Sequence, residues 1–286
     1  MSFDADAHRE ASLESWEAAA SGWTRSQAEM REFAASVSHW MIDAISPQPG
    51  QRVLELAAGL GETAMLAAEL VAPGGSVIVS DQAEAMLEGA RARAAELGLR
   101  NVEFKVLGAE WIDLPLASVD AVLCRWGYML MADPAAALAE TRRVLKPGGR
   151  LALAVWDSVE RNPWAGLPAR VLIECGLAPA PDAESRSRPG PFALGDAERV
   201  AEMLRDAGFT EIDVQPIELA RRHASFADFW ETNLDISPSL HDAVMARPAA
   251  EIAALEAALA ERLAPFISAD GAVDVPARTL VASASA

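Results

Sequence analysis

The segment VLELAAGLGE, residues 53–62, puts small residues where an extended chain must turn sharply into a helix. Glu55 closes the apolar run, and Gly59 and Gly61 stand in the turn, where they would let a ligand lie against bare backbone near a helix N-terminus. Such a loop alone is shared by nucleotide-binding folds of several kinds and by plain structural turns. Asp81 narrows the choice. It ends the next apolar run, where a carboxylate can accept from both hydroxyls of a ribose. Asp81 can also cap the helix that follows, and the two roles are compatible.

The fourth apolar run leads into CysArgTrpGlyTyr, residues 124–128. Carboxylates or amides converging there could hold a metal; the stretch has none, and no metal is expected. Cys124 reads as a small buried side chain, the usual state of a free cysteine. Trp126 and Tyr128 would stand at the carboxyl edge of a sheet, to stack on a flat ligand or to pack the core. Trp16 and Trp23, seven apart, share one helical face, suited to core packing or to closing over a ligand. Of the four histidines, His8, His39, His223 and His241, His223 follows the sixth expected strand and is the one taken as nearest in chain order to the expected cap. No general base is identified.

The elements that must position these residues follow from hydrophobic patterning. Strands are expected at 52–56, 76–80, 102–107, 119–124 and 151–156, with further strands at 211–219 and 277–282. Helices are expected at 62–70, 83–97 and 134–144, stopped by ProGlyGly, Gly98 and LysProGlyGly, and again at 196–207, from Phe226, and at 249–263. Alternation of short strands with amphipathic helices predicts an α/β, doubly wound, largely parallel sheet. Residues 1–50 are expected to form a helical lid, and 51–286 the core, with cap insertions near 157–195 and 224–270. Residues 161–169 and the Pro- and Ser-rich 179–191 read as a loop-containing insertion. The Ala-rich helix 249–263 could serve as cap or as a homodimer face.

Composition excludes several partners. A net charge of −18 with no basic run argues against nucleic acid. Two cysteines give no disulfide framework, and the acidic start has no signal-peptide layout, so a soluble, cytoplasmic protein is expected. No apolar run is long enough to span a membrane.

Taken in order, VLELAAGLGE, VIVSDQAEAML, VLGAEWIDLP, SVDAVLCRWGYMLM and RRVLKPGGRLALAVW resemble the motifs of class I S-adenosylmethionine-dependent methyltransferases, especially the small-molecule branch with the ubiquinone and menaquinone C-methyltransferases. The resemblance covers about half the chain, residues 51–156. It implies a Rossmann-like seven-stranded core with S-adenosylmethionine as cofactor and S-adenosylhomocysteine as product. It implies that Glu55, Ala57, Gly59 and Gly61 border the cofactor's methionine part, with Asp81 on the ribose and Gln82 or Met86 beside the adenine. Gly108, Ala109 and Glu110 with Trp111 would enclose the adenine ring, and Cys124 and Arg125 would lie under the methionine through backbone atoms.

Two positions depart from the family. Ala57 stands where glycine is usual, tolerable only if the backbone keeps negative φ. Gly108 stands where many relatives have an aspartate for the adenine amino group; Glu110 or a backbone carbonyl would have to substitute. A nicotinamide-dependent oxidoreductase would need G-x-G-x-x-G, which Ala57, Gly59 and Glu62 do not supply. The cysteine-nucleophile methyltransferases carry a Pro-Cys pair, and Leu123 precedes Cys124 here. The Pro-Pro-aromatic motif of exocyclic-amine methylation is also missing. The expected activity is metal-independent, in-line methyl transfer to a small aromatic or polycyclic acceptor, a reaction of secondary metabolism, with Trp16, Trp23, Trp126, Tyr128 and His223 as candidate pocket residues. O-, N- and C-methylation stay open. The alternative, prompted by Ala57 and Gly108, is a catalytically silent cofactor-binding scaffold or sensor.

Overall fold

The structure is a computed structural model that describes residues 3–180 and 188–286. Its sheet has seven strands: β1 (Arg52–Glu55), β2 (Ser76–Asp81), β3 (Val102–Val106), β4 (Val119–Arg125), β5 (Leu145–Trp156), β6 (Thr210–His223) and β7 (Val273–Ser285), in the order β3-β2-β1-β4-β5-β7-β6. The first five run parallel, β7 pairs antiparallel with β5, and β6 antiparallel with β7. Strand order reverses between β1 and β4, which opens a crevice beyond their carboxyl ends, where open α/β sheets bind ligands. Helices cover both faces, so the central strands are apolar throughout: Val53, Leu54, Val77, Ile78, Val79, Val122 and Leu123 are fully buried.

The crossover helices are α3 (Glu62–Leu70), α4 (Glu84–Glu96), α5 (Pro134–Val144) and α7 (Ala197–Asp206). Local chemistry explains where α5 and α7 begin. Asp133 accepts from the Ala136 N–H with Pro134 in the first turn of α5, and Asp196 accepts from Glu198 and Arg199 N–H at α7. Before them come α1 (Ala5–Arg25) and α2 (Gln27–Ile45); α2 lays Ala34, Val37, Met41 and Ile45 into the sheet core. The remaining helices, α6 (Pro163–Glu174), α8 (Phe226–Ile236), α9 (Pro238–Met245) and α10 (Ala249–Leu263), form a second hydrophobic cluster with Val273 and Val275 of β7.

Three expectations are corrected. β5 begins at Leu145 rather than 151: Leu145 pairs with Val119, residues 146–149 bulge out with Gly148 at φ +75°, and the ladder resumes at Arg150 opposite Ala121. β6 and β7 extend well beyond 211–219 and 277–282: their ladder continues out to His223 opposite Val273 and carries the second cluster. Residues 163–174 are helical although Pro168 lies inside the helix. Residues 181–187 of the Pro- and Ser-rich segment fall outside the described residues. In α10, Leu255, Leu259 and Leu263 face the second cluster rather than a free surface. Among the described residues no helix is long and apolar enough to cross a membrane.

Candidate functional site

The loop from β1 to α3 turns through three left-handed residues, Ala57 at φ +48°, Gly59 at +54° and Gly61 at +73°. Ala57 therefore does not keep the negative φ that its methyl group was expected to require. Its accommodation comes from across the crevice. A Cβ added to Gly127 would meet the Ala57 Cβ and the Cys124 Sγ, each at 2.7 Å. The methyl that the loop carries occupies the space that Gly127 leaves bare. Ala57 is exposed, and a Cβ on Gly59 would meet nothing within 4 Å, so the loop backbone faces open space here.

Two carboxylates hold the loop. Asp81, 8% exposed, accepts from the Gly59 N–H at 2.9 Å and the Ala83 N–H at 3.0 Å, one on each oxygen. Burial pushes its carboxyl above the usual range, opposed by these N–H bonds. Each oxygen keeps a second lone pair, enough for a two-pronged acceptor of a diol. Glu55 is buried under the loop and accepts from the Ala64 N–H in the first turn of α3 at 2.7 Å. Burial raises its carboxyl to about 7, against the attraction of Arg125 and the Ala64 bond.

Helix α1 spans the crevice and is tied to the loops after β2, β3 and β4. The Glu17 carboxylate accepts from the Glu84 N–H at 2.6 Å and the Ala85 N–H at 3.1 Å. It caps α4, whose own N-cap residue, Ala83, supplies no side-chain bond. Gln82 donates to the Ser12 hydroxyl at 3.0 Å, Arg9 pairs with Glu110, and His8 Nε2 donates to the Leu130 carbonyl at 3.1 Å. Trp16 and Trp23 meet edge to face, ring centres 5.9 Å apart, in a cluster with Leu60, Ala83 and Met86. The Trp23 indole N–H is buried there without a hydrogen-bond partner.

On the other side of the loop an aromatic wall rises. Trp126 stacks on Trp156 at 4.3 Å, Phe33 lies 6.2 Å from both, and Trp164 lies 5.0 Å beyond Trp156. Trp126 sits at φ +60° and is fixed by an indole N–H bond to Thr279 of β7 at 3.0 Å. The Arg125 guanidinium lies over the Trp126 ring at 5.0 Å, and its Nη1 is buried without a hydrogen-bond partner.

Glu55, Ala57, Gly59, Gly61, Asp81, Gln82, Met86, Cys124 and Arg125 thus gather around the loop, with Trp16 and Trp23 above it and Trp126 beside it. Others are not brought there. Tyr128 is buried in the core with its hydroxyl on Thr141 at 2.7 Å. His223, 2% exposed, packs edge-on against Phe229, and burial with the neighbouring Arg221 lowers it to about 4. The Trp111 side chain is 84% exposed rather than folded over a ring site. Glu110 is engaged by Arg9 and the Asp133 N–H, not free as a substitute acceptor. The Cys124 thiol is fully buried and pushed up to about 12, the state of a core cysteine. Sequence reading missed Glu17, Gly127, Phe33, Trp156 and Trp164. A cavity of roughly 500 Å³ opens elsewhere, on the outer side of α2, α3 and α4. It contains neither Ala57 nor Asp81 and is apart from this crevice.

A family model described as a methyltransferase domain matches residues 47–176. Nocamycin O-methyltransferase of Saccharothrix syringae is 34% identical over 188 residues, 63% of this chain and 67% of that protein. The ubiquinone/menaquinone biosynthesis C-methyltransferase of Escherichia coli O1:K1 is 31% identical over 185 residues, 60% of this chain and 71% of that one. Among solved structures, the YcgJ protein of Bacillus subtilis shares the fold, with a TM-score of 0.58 at 20% identity over 87% of this chain and 97% of that chain.

Proposed function

Because the chain belongs to the class I S-adenosylmethionine-dependent methyltransferases, we propose that it methylates a flat aromatic or polycyclic small molecule, held on the Phe33–Trp126–Trp156 wall, by metal-independent in-line transfer. The observation that carries the reading is the juxtaposition of that wall with the open loop backbone at Ala57 and Gly59. The residues fit the cofactor. Asp81 has lone pairs left for the ribose hydroxyls, the loop leaves open space at Gly59, and the buried Trp23 N–H lacks an acceptor beside Met86 and Ala83. When bound, the cofactor supplies a methyl group on a positively charged sulfur.

The chain's part is chiefly positioning. The acceptor atom must lie about 3 Å from the methyl carbon and in line with the breaking bond, and a rigid aromatic stack fixes a planar ring at low entropic cost. Helix α1 acts as a lid: its contacts to three crossover loops shut the crevice and keep water from the transfer. The helices α6 and α8 to α10 form the cap over the acceptor side. The name of the nocamycin relative favours oxygen as the acceptor atom. The Ala57 departure gives no support to a silent scaffold, since Gly127 accommodates it.

Calorimetry with S-adenosylhomocysteine, then a panel of mono- to tetracyclic phenols and aromatic acids with S-adenosylmethionine, tests the reading. Cofactor binding with methylated product supports it; no binding of S-adenosylhomocysteine overturns it, and binding without transfer to any acceptor favours a sensor.

A further inference from the structure

We propose that Arg125 selects an acceptor that arrives as an oxygen anion, an aromatic carboxylate being its simplest form. The inference rests on the methyl-transfer reading above and names the substrate class of that site.

Three observations converge on it. First, Arg125 ends β4 at the crevice, its guanidinium lies over Trp126 at 5.0 Å, and its Nη1 is buried with no hydrogen-bond partner. The two carboxylates whose field it feels, Glu55 and Glu62, are occupied. Glu55 holds the Ala64 N–H, and Glu62 accepts from Gln27 while facing Arg31 and Arg93. A buried cationic donor left unmatched costs free energy, and a planar fork beside an aromatic face suits a carboxylate on a ring.

Second, the candidate bases nearest the wall, Tyr128, Cys124, His223 and Glu55, are each buried or committed to another partner. Tyr128 is committed to Thr141, the Cys124 thiol is pushed up to about 12, and His223 is buried against Phe229 at about 4. Glu55 is 1% exposed beneath the loop. His8, on the lid, is engaged through Nε2 with the Leu130 carbonyl. An acceptor that is already ionised needs no base. Third, a chain of net charge −18 repels anions at long range, so an anionic acceptor requires a local cation, and Arg125 supplies one.

The step balances without a further reactant. A lone pair of one carboxylate oxygen forms the new O–C bond as the C–S bond breaks; sulfur keeps the electron pair of the broken bond, and no proton leaves the acceptor. Arg125 holds the other oxygen, because pairing with the attacking one would weaken its nucleophilicity. The products are a neutral methyl ester and a neutral thioether.

The test measures binding of 2-naphthoic acid, 1-hydroxy-2-naphthoic acid and their primary amides to the protein saturated with S-adenosylhomocysteine, by tryptophan fluorescence at pH 7.5. For the wild type, the acids should bind at least tenfold more tightly than the amides. Arg125→Gln should abolish the preference, Arg125→Lys should keep part of it, and both should bind S-adenosylhomocysteine within about threefold of the wild type. Acids and amides alike, no binding of either, or a preference that survives Arg125→Gln would overturn the proposal. Loss of S-adenosylhomocysteine binding in both variants would instead assign Arg125 to the cofactor's own carboxylate and overturn the proposal too. If Arg125→Gln fails to fold, the comparison rests on wild type and Arg125→Lys in rising salt, where the acid preference should shrink and amide binding should not. Failure of the wild type to bind S-adenosylhomocysteine would count against the methyl-transfer reading itself.

Discussion

Ala57 and Gly127 show how a family departure is absorbed by one residue across the crevice. Adding a methyl to Gly127 forces it within 2.7 Å of both the Ala57 Cβ and the Cys124 Sγ. Gly127→Ala should therefore destabilise the fold by about 1–3 kcal/mol, the usual cost of overpacking. Ala57→Gly alone should be close to neutral, since it relieves a left-handed alanine while loosening the unfolded chain. In the double variant much of the loss should return, and urea melts of the four proteins should give a coupling energy of at least roughly 0.5 kcal/mol; strict additivity would mean the two methyls do not meet. Glu55 carries a second prediction. Its carboxyl is raised to about 7 by burial, above an ordinary value near 4.5. The folded state thus binds the proton more tightly than the unfolded chain, so this contribution is present below about pH 4.5 and is lost as pH rises through 7. Glu55→Gln keeps an acceptor for the Ala64 N–H and does not titrate. Its stability relative to wild type, read from urea melts, should climb between pH 5 and pH 8 by up to about 3 kcal/mol. A difference that stays flat with pH would show that Glu55 is ionised throughout. At Asp81, Ala should lower affinity for S-adenosylhomocysteine tenfold or more, on the cost of about 1.5–3 kcal/mol for charge-assisted hydrogen bonds; calorimetry that finds unchanged affinity would place the ribose elsewhere.

At the scale of elements, α1 is the piece whose role depends on one distant carboxylate. Glu17 satisfies the Glu84 and Ala85 N–H groups of α4, which has no side-chain cap of its own. Glu17→Ala should cost about 1 kcal/mol of lid docking, the value of an N-cap, and so speed release of bound S-adenosylhomocysteine roughly fivefold. Stopped-flow fluorescence of Trp16 and Trp23 reads the rate; an unchanged rate would show that α1 is held shut by other contacts. Such a contact, 67 residues apart in the chain, leaves no local trace in the sequence. What could be read there was punctuated locally. The glycine loop, Asp81, the Pro134 start of α5 and the bounds of α10 all follow from single residues with strong backbone preferences. Gly127 looked like an ordinary glycine because the atoms that demand it, the Ala57 Cβ and the Cys124 Sγ, converge on it only in the fold. Arg125 could be placed at a strand end, but only the fold shows that its neighbouring carboxylates are already engaged. The far ends of β6 and β7 escaped although burial alternates there, with Val273, Val275 and Ala277 inward between exposed Asp274 and Pro276, because Pro276 and the Arg221–Arg222 pair interrupt the apolar runs in the sequence.

Across the whole molecule, the sheet and the cap have separate hydrophobic clusters, and Asn162 is a polar joint between them. It is fully buried between the end of β5 and the start of α6. Its amide nitrogen donates to the carbonyls of Asp157, Ser158 and Arg278, each at 3.0 Å, and its oxygen accepts from the Arg278 N–H and the Trp164 indole. One side chain thereby fixes β7, the turn after β5 and a tryptophan of the aromatic wall. Asn162→Ala strands these groups without water, a penalty of about 3 kcal/mol, so the melting temperature should fall by roughly 5–10 °C in a chain of this size. The functional effect should be uneven. Asp81, Glu55 and the loop lie on the far side of β4 from this joint, so affinity for S-adenosylhomocysteine should stay within about twofold of wild type. Binding of an aromatic acid should weaken at least fivefold, because Trp164 loses its indole acceptor and no longer backs Trp156. Calorimetry of both ligands on the same variant decides the matter: equal losses would mean that cap and cofactor site behave as one unit, whereas loss confined to the acid would show that the cap serves the acceptor alone.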